Sequence, residues 1–221
     1  MSRTLAPYQQ DYIRLSVSRK ILRFDGPFTL KSGRASPYFF NAGLFCDGES
    51  IATIAQCYAQ MIVDAGVEVD VILGPAYKGI PLAATVAQAL YEKHGRSVGF
   101  VYNRKEAKTH GEGGVLVGAP LKGRVLIIDD VMTAGTAIRE SVAYIDAAPE
   151  AKLVGIAMAL NRQERAGEEP ESTAKKVQRE LGVPVWSIVN VDDIMTHLEK
   201  EGGWEEQLKA MRAYREKYFG E

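Results

Sequence analysis

This chain of 221 residues has few cysteines and almost no net charge. Its two cysteines, Cys46 and Cys57, lack the spacing of a metal site and are too few for a disulfide framework. We therefore expect both to be buried free thiols, as is common in a reducing cytoplasm. The formal net charge of −1 argues against a general nucleic-acid binder, so any polyanion site must come from locally clustered lysine and arginine.

Long apolar runs and two familiar nucleotide-binding motifs are also missing. No segment approaches the roughly 18 consecutive apolar residues that a membrane span needs, and residues 1–5 do not resemble a signal peptide. We expect a soluble cytoplasmic protein with no membrane partner. The sequence has no G-x-x-x-x-G-K-[ST] loop and no G-x-G-x-x-G after its first strand, which argues against a P-loop and a dinucleotide fold.

The most informative stretch that the sequence does contain is an aliphatic run, 125–128, that ends in Asp129 and Asp130. Such a run is typical of a strand buried on both faces of a parallel sheet. The turn after it, 133–136, offers hydroxyls, backbone N–H groups and a helix dipole, which suit a phosphate. Because two acids would repel a bare phosphate, they indicate sugar hydroxyls or a metal ion as well. The plainer alternative is a strand–turn–helix whose acids are solvated or cap the helix.

Strands and helices alternate over most of the chain, which predicts an α/β fold with an open, mostly parallel sheet flanked by helices. Periodicity predicts helices at 49–65, 80–93, 136–147, 172–181, 192–201 and 204–219, and strands at 69–73, 97–102, 152–160 and 183–189. A helix at 8–24 and a short hairpin at 28–41 interrupt this alternation and predict a small cap over one end of the sheet. We expect one domain, 1–221, with the cap at about 1–45 and the core at about 46–221.

A second strand-to-helix turn, 74–81, contains Gly74, Lys78 and Gly79. Two glycines and a lysine at the end of a parallel strand suit a nest for a pyrophosphate. The alternative is a plain Pro/Gly turn with a surface lysine. Because parallel strands end at the same edge of a sheet, we expect this turn to lie beside the two acids.

A polar, glycine-rich segment at about 103–118 shows no sustained period of either strand or helix. A long loop in a compact domain is usually either functional or disordered. Its cations, Arg104, Lys105, Lys108 and His110, would suit a lid that closes over a leaving pyrophosphate. The alternative is a solvated, mobile charge run.

Two further segments suit a planar, carboxylated ligand. Phe39, Phe40 and Lys31 in the cap could face a base, although the aromatic residues could equally be core and the lysine surface. Arg162 follows the strand at 152–160, and a guanidinium there suits a carboxylate. Its alternative is a charged surface loop.

These motifs together resemble a known family. The segment 128–136 resembles the phosphoribosyl-diphosphate signature of type I phosphoribosyltransferases. The cap at 28–41, the lid at 104–113 and Arg162–Arg165 resemble those of orotate phosphoribosyltransferases, so the likeness spans about residues 28 to 165. The sequence departs from the family pattern at Thr109 and Asn161, where the family usually has Asp, and neither change removes a cation.

The resemblance implies transfer of ribose 5-phosphate from phosphoribosyl diphosphate to orotate, giving orotidine 5′-phosphate and diphosphate in pyrimidine biosynthesis. It assigns catalytic roles to Lys105, Lys108, His110, Asp129 and Asp130. It assigns phosphoribosyl diphosphate to Lys31, Tyr77, Lys78, Arg104, Lys105, Lys108, His110, Asp129, Asp130, Val131, Met132, Thr133, Ala134, Gly135, Thr136 and Ala137. It assigns orotate to Lys31, Phe39, Phe40, Thr133 and Arg162.

The resemblance also implies Mg²⁺, held mainly by substrate and water, and a homodimer in which each lid serves the neighbouring site. Two alternatives stay open from the residues. A purine phosphoribosyltransferase would share the phosphoribosyl signature but not the carboxylate-binding Arg162. A phosphoribosyl-diphosphate-sensing regulator would need a basic nucleic-acid surface or an added DNA-binding domain, which the balanced charge does not favour.

Overall fold

The computed structural model describes residues 4–30, 32–108, 114–132, 135–165, 167 and 169–220. Four residues with predicted site roles, Lys31, His110, Thr133 and Ala134, lie outside this part of the chain, as does Thr109. Only the backbone of Lys108 is described.

The N-terminal cap consists of one helix and four two-residue strands. These are α1 (Pro7–Ser18), β1 (Leu22–Arg23), β2 (Phe28–Thr29), β3 (Ala35–Ser36) and β4 (Phe39–Phe40). The pairing of β2 with β3 confirms the predicted hairpin, and β1 pairs antiparallel with β4. The helix predicted at 8–24 is too long, because α1 ends at Ser18. Lys20 then takes a positive φ of 56°, and the following residues form β1, which pairs with β4.

A six-stranded sheet forms the centre of the fold. Its strands are β5 (Val71–Gly74), β6 (Gly99–Lys108), β7 (Gly114–Gly118), β8 (Gly123–Val131), β9 (Ala151–Asn161) and β10 (Val185–Asn190). Their order is β10-β9-β8-β5-β6-β7, and every neighbouring pair is parallel except β6 and β7. The predicted mostly parallel α/β sheet is therefore confirmed.

Helices cover both faces of this sheet. They are α2 (Gly48–Asp64), α3 (Gly79–His94), α4 (Thr136–Asp146), α5 (Thr173–Leu181), α6 (Val191–Glu201) and α7 (Glu205–Tyr218). The larger core lies between the sheet and α1, α2, α3, α6 and α7, and the smaller core lies between the sheet and α4 and α5. All six helices agree with the sequence periodicity to within a few residues.

Strand β8 explains why its sequence is continuously apolar. Leu126 and Ile128 belong to the larger core, whereas Val125 and Ile127 belong to the smaller one. Alternate residues of a strand point to opposite faces, so both faces of β8 are buried. This rigid strand places Asp129 and Asp130 at its carboxyl end.

The prediction of an irregular segment over 103–118 is wrong for the residues described. Strand β6 continues to Lys108, and β7 pairs with it antiparallel, with a register shift between Asn103 and Lys108. Residues 103–108 of β6 hid this ribbon because they are polar and their far end extends beyond the core, where Lys105 and Glu106 are exposed. The apolar part of β7 is only three residues long, too short to show a strand period, although Leu116 packs against the smaller core.

The two thiols differ in burial. Cys57 on α2 is buried, as predicted, but Cys46 is exposed, which contradicts the prediction for that residue. Cys46 stands between Phe45, a buried residue of the larger core, and Asp47, the N-cap residue of α2, and its own side chain faces the surface. Among the described residues, no helix is both long and apolar enough to cross a membrane.

Candidate active site

The site lies where the strand order of the sheet reverses. From β5 the chain passes to β6 on one side and later returns to β8 on the other side of β5. Open α/β sheets bind ligands in the crevice outside the carboxyl ends of the strands at such a point. Here those ends lead into residues 75–78 after β5 and residues 129–132 at the end of β8.

The turn after β5 is tight because two glycines touch. A Cβ on Gly74 would lie 2.0 Å from the carbonyl oxygen of Gly79, and a Cβ on Gly79 would lie 2.7 Å from the carbonyl carbon of Gly74. The side-chain oxygen of Asn103 on β6 accepts a hydrogen bond of 2.9 Å from the backbone N–H of Ala76. The turn therefore projects Tyr77 and Lys78 at a fixed place above the sheet.

The two acids at the end of β8 are oriented by backbone and side-chain donors. Asp129 Oδ1 accepts from the N–H of Asp130 at 2.9 Å, and Asp130 Oδ1 accepts from the N–H of Val131 at 2.8 Å. Lys78 Nζ lies 2.7 Å from Asp130 Oδ2 and so joins the two strand ends directly. The prediction that both turns meet at one sheet edge is confirmed by this contact.

The environment of Asp129 disfavours a negative charge. Burial, followed by the neighbouring charge of Asp130, raises the pKa of Asp129 from 3.8 to about 7. The Asp130 carboxylate has Lys78 as a cationic partner. The pair is thus asymmetric, with one acid ion-paired and the other close to its protonation midpoint at neutral pH.

A cavity of about 1120 Å³ extends from these acids to the cap. Of the residues predicted to bind ligand, the cavity is lined by Phe39, Phe40, Tyr77, Lys78, Asp129, Asp130, Val131, Met132 and Arg162. These come from four separate segments of the chain. The fold therefore brings residues predicted to bind the phosphoribosyl group, the pyrophosphate and the base around one space.

The base side of this cavity is partly apolar. The ring centroids of Phe39 and Phe28 are 5.5 Å apart. Phe40 belongs to the larger core and also lines the cavity. Both the core and the ligand interpretations of Phe40 are therefore compatible with its position. Arg162 follows β9, the strand next to β8, and its guanidinium lies 4.3 Å from the centroid of the Tyr38 ring.

The ribbon of β6 and β7 reaches the rim of the site. Lys105 Nζ lies 5.0 Å from the centroid of the Tyr77 ring, which connects the ribbon to the turn after β5. Arg104 Nη1 donates to the carbonyl oxygen of Gly114 across the ribbon at 3.2 Å. Neither Arg104 nor Lys105 is among the described residues that line the cavity, so both cations lie outside its walls.

The phosphate-binding turn is described only at its helical end. Gly135 has a φ of +74° and Thr136 and Ala137 begin α4, so a helix N-terminus follows β8 as predicted. These three residues do not line the cavity as the structure describes it. The predicted roles of Lys31, His110, Thr133 and Ala134 fall outside the described residues.

Sequence reasoning missed three residues that support the site. Asn103 anchors the turn after β5, and the Tyr58 hydroxyl on α2 donates to the carbonyl oxygen of Asp129 at 2.7 Å. Glu164 contacts both Arg162 and Arg34. No signal marks Tyr58, which looks like any apolar-face residue of α2, whereas Glu164 stands two positions from the predicted Arg162.

Comparison with known proteins agrees with this geometry. The phosphoribosyl transferase domain model matches residues 47–192, more than half of the chain. The orotate phosphoribosyltransferase of Pseudomonas aeruginosa is 55% identical over 211 residues, covering 96% of this chain and 98% of that protein. The chain belongs to the orotate phosphoribosyltransferase family.

Two further relatives cover nearly the whole chain. The Pseudomonas putida orotate phosphoribosyltransferase is 54% identical over 214 residues, or 97% of this chain and 99% of its own. The crystal structure of the Francisella tularensis orotate phosphoribosyltransferase has a TM-score of 0.85 and 41% identity, and the match covers 95% and 100% of the two chains. The family likeness therefore includes the cap and the C-terminal helix as well as the sheet.

The contact of Gly74 with Gly79 generates the first prediction. Gly74→Ala places a methyl group against the Gly79 carbonyl, so we expect destabilisation of about 1–3 kcal/mol and displacement of Tyr77 and Lys78. Chemical denaturation measures the first effect, and titration with pyrophosphate measures the second as weaker binding. Gly48→Ala is the matched control, because a Cβ there meets nothing within 4 Å. Equal stability of the two variants would contradict the proposed tight turn.

The raised pKa of Asp129 generates a pH-dependent prediction. An unfolded aspartate loses its proton near its ordinary pKa of 3.8, but the folded one holds it to about 7, so folding loses stability between these values as the pH rises. Asp129→Asn keeps the acceptor for the Asp130 N–H and removes the titration. We expect this variant to be more stable than the parent by up to about 4 kcal/mol at pH 8, with the gain shrinking towards pH 4. Thermal melts across this range test it, and a pH-independent difference would count against the assignment.

Proposed function

We propose that this chain transfers ribose 5-phosphate from phosphoribosyl diphosphate to N1 of orotate, releasing diphosphate, as a cytoplasmic enzyme of pyrimidine biosynthesis. The name carried by relatives at 55% identity over nearly the full length supports the activity. The observation that carries the substrate assignment is the single cavity shared by the acids, Tyr77 and Lys78, the cap aromatics and Arg162. Each of these groups suits one part of the two substrates: the ribose, the diphosphate, the planar base or its carboxylate.

Asp129 and Asp130 bind the hydroxyl groups of the ribose. Carboxylate oxygens accept from hydroxyl groups, and both acids lie on the cavity wall with backbone donors fixing one oxygen of each. When the bond from C1 to the diphosphate oxygen breaks, its electron pair leaves with the diphosphate and positive charge develops on the sugar. The fixed carboxylates offset that charge without forming a covalent intermediate. Ring nitrogen N1 of orotate then forms the new bond to C1, and the proton that N1 carried passes to water.

The leaving diphosphate is bound by Tyr77 and Lys78 and by the cationic residues in and after β6. Lys78 lies between the turn after β5 and Asp130, and Lys105 lies against the Tyr77 ring. Lys108, His110 and Arg104 complete the cationic set. The turn of Thr133, Ala134, Gly135, Thr136 and Ala137, with Val131 and Met132 before it, holds the 5-phosphate at the start of α4.

Mg²⁺ suits the donors on the cavity wall. Two adjacent carboxylates provide hard oxygen ligands, and no cluster of three or more His, Cys, Asp or Glu forms a metal cage in the part of the chain that the structure describes. Mg²⁺ retains water and binds through one or two carboxylates together with substrate phosphates. Asp129 and Asp130 would hold it through the sugar and water, where it would neutralise charge on the diphosphate.

The base pocket selects a carboxylated pyrimidine. Phe39 and Phe40 supply apolar contact to a planar ring. Lys31, which lies outside the described residues, is proposed as a further cation for the base. Arg162 supplies a buried cation for the substrate carboxylate, since its side chain is only 11% exposed. A buried guanidinium with no substrate carboxylate to bind would disfavour uncharged bases, because its remaining donors would go unpaired.

The substrate assignment predicts a clear order of activity. With phosphoribosyl diphosphate and Mg²⁺ supplied, we expect turnover of orotate and at least 100-fold less turnover of uracil, adenine and hypoxanthine, because each lacks the carboxylate. The assay follows loss of each free base by its absorbance. Turnover of a purine without any turnover of orotate would replace the proposal with a purine enzyme.

The homodimer with shared lids predicts complementation between two inactive variants. Lys105→Ala removes the lid cation, and Asp129→Asn with Asp130→Asn removes the ribose acids. If each lid serves the neighbouring site, an equimolar mixture of the two variants regains about a quarter of wild-type activity, since half of the randomly paired dimers are mixed and each mixed dimer has one intact site of two. Mass spectrometry of the intact complex verifies subunit exchange. Exchange without recovered activity would contradict lid donation between subunits.

A further inference from the structure

Glu164 lies between two arginines beside the cavity. Its Oε1 accepts from Arg162 Nε at 2.9 Å and lies 2.7 Å from Arg162 Nη2, while its Oε2 lies 3.6 Å from Arg34 Nη1. The three side chains are largely buried, with exposed fractions of 11% for Arg162, 15% for Glu164 and 17% for Arg34. All three line the cavity. This is a buried charge cluster, not a surface salt bridge.

The cluster fixes Arg162 by one edge of its guanidinium. Glu164 occupies the edge formed by Nε and Nη2, and Nη2 also donates to Ser36 Oγ at 3.3 Å. The Tyr38 ring packs against the guanidinium, and its hydroxyl donates to Glu164 Oε1 at 3.2 Å. The structure gives no hydrogen bond from Nη1 to any residue that it describes. A fork-shaped guanidinium held by one edge keeps the other for a second carboxylate.

Glu164 is itself held by the C-terminal segment. The N–H of Arg165 donates to the carbonyl oxygen of Tyr218, and the N–H of Gly220 donates to the carbonyl oxygen of Gln163, each at 2.9 Å. The Arg34 guanidinium lies 4.7 Å from the centroid of the Tyr218 ring. The backbone on both sides of Glu164 is therefore fixed to α7, and the carboxylate has little freedom to leave Arg162.

The charge of the cluster also matches one carboxylate ligand. Two guanidinium groups and one carboxylate leave a net charge of +1, so a single bound carboxylate makes the buried set neutral. Without Glu164 the same space would hold two buried like charges, each disfavoured by desolvation. Glu164 thus supplies both orientation and charge balance.

We propose that Glu164 is a positioning residue for base recognition: it holds Arg162 by its Nε and Nη2 edge and leaves the other edge for the carboxylate of the substrate base. The inference rests on the proposed function, because it assumes that Arg162 binds that carboxylate. Glu164 does not contact the reacting atoms, and its effect reaches the substrate through Arg162.

Glu164→Gln tests this with little change in shape. The amide is neutral, so even with its oxygen turned towards Arg162 it offers no charged acceptor, and its NH₂ group then faces Arg34. We expect the KM for orotate to rise about 10-fold, in keeping with one lost charge-assisted hydrogen bond, while the KM for phosphoribosyl diphosphate stays within about 2-fold. Glu199→Gln is the matched control, because it removes an acid paired at 2.5 Å with Arg212 between α6 and α7. The control should change neither KM.

A double-mutant cycle separates positioning from general stability. Arg162→Met should raise the KM for orotate by about 100-fold, and adding Glu164→Gln to it should raise that KM no further. Should Glu164→Gln fail to fold, Glu164→Asp takes its place, because it keeps the charge and shortens the reach. It should still raise the KM for orotate and not that for phosphoribosyl diphosphate.

The outcomes distinguish the two proposals. A large effect of Arg162→Met with less than a 2-fold effect of the Glu164 variants overturns the positioning role and leaves the proposed function intact. Additive effects in the double variant also overturn it. No effect of Arg162→Met on the KM for orotate removes both the assigned role of Arg162 and the inference built on it, while orotate turnover itself still supports the proposed activity.

Discussion

The contact between Lys78 and Asp130 joins the two halves of the site across the reversal in strand order. Lys78 follows β5 and Asp130 ends β8, and their side chains meet at 2.7 Å. The contact depends on the sheet, because only the neighbouring carboxyl ends of β5 and β8 bring these turns together. It also sets the electrostatics, since the cation faces Asp130 while burial raises the pKa of Asp129. Positioning and charge are therefore determined by the same piece of architecture.

From this contact the cavity can be followed outwards in two directions. Towards the ribbon, Asn103 fixes the turn after β5 and Lys105 lies against Tyr77. Towards the cap, Phe39 and Phe40 lead to Arg162 and its partner Glu164. The residues proposed to bind the diphosphate thus lie on one side of Asp129 and Asp130, and those proposed to select the base lie on the other. This arrangement suits a reaction in which one group leaves the sugar and another replaces it.

The sequence was sufficient for the parallel part of the sheet and for bringing nine of the predicted site residues to one cavity, because both depend on local patterns. The apolar run before Asp129 and the glycines of the turn after β5 mark a buried strand and a close backbone contact wherever they occur. The ribbon was missed because β6 carries polar side chains beyond the core and the apolar part of β7 is only three residues long. Tyr58, Asn103 and the partnership of Glu164 with Arg34 were missed because they connect residues 71, 27 and 130 positions apart. No local pattern records such contacts, although the relatives at 55% identity support the family directly.

The central claim is that the acids at the end of β8 hold the ribose while Tyr77 and Lys78 meet the diphosphate. A crystal structure of the protein with phosphoribosyl diphosphate and Mg²⁺ tests it most directly. We expect the 2- and 3-hydroxyls of the ribose to lie within hydrogen-bond distance of Asp129 and Asp130, with the diphosphate beside Tyr77 and Lys78. A ribose bound away from these acids, or a diphosphate placed at the cap beside Arg162, would contradict it.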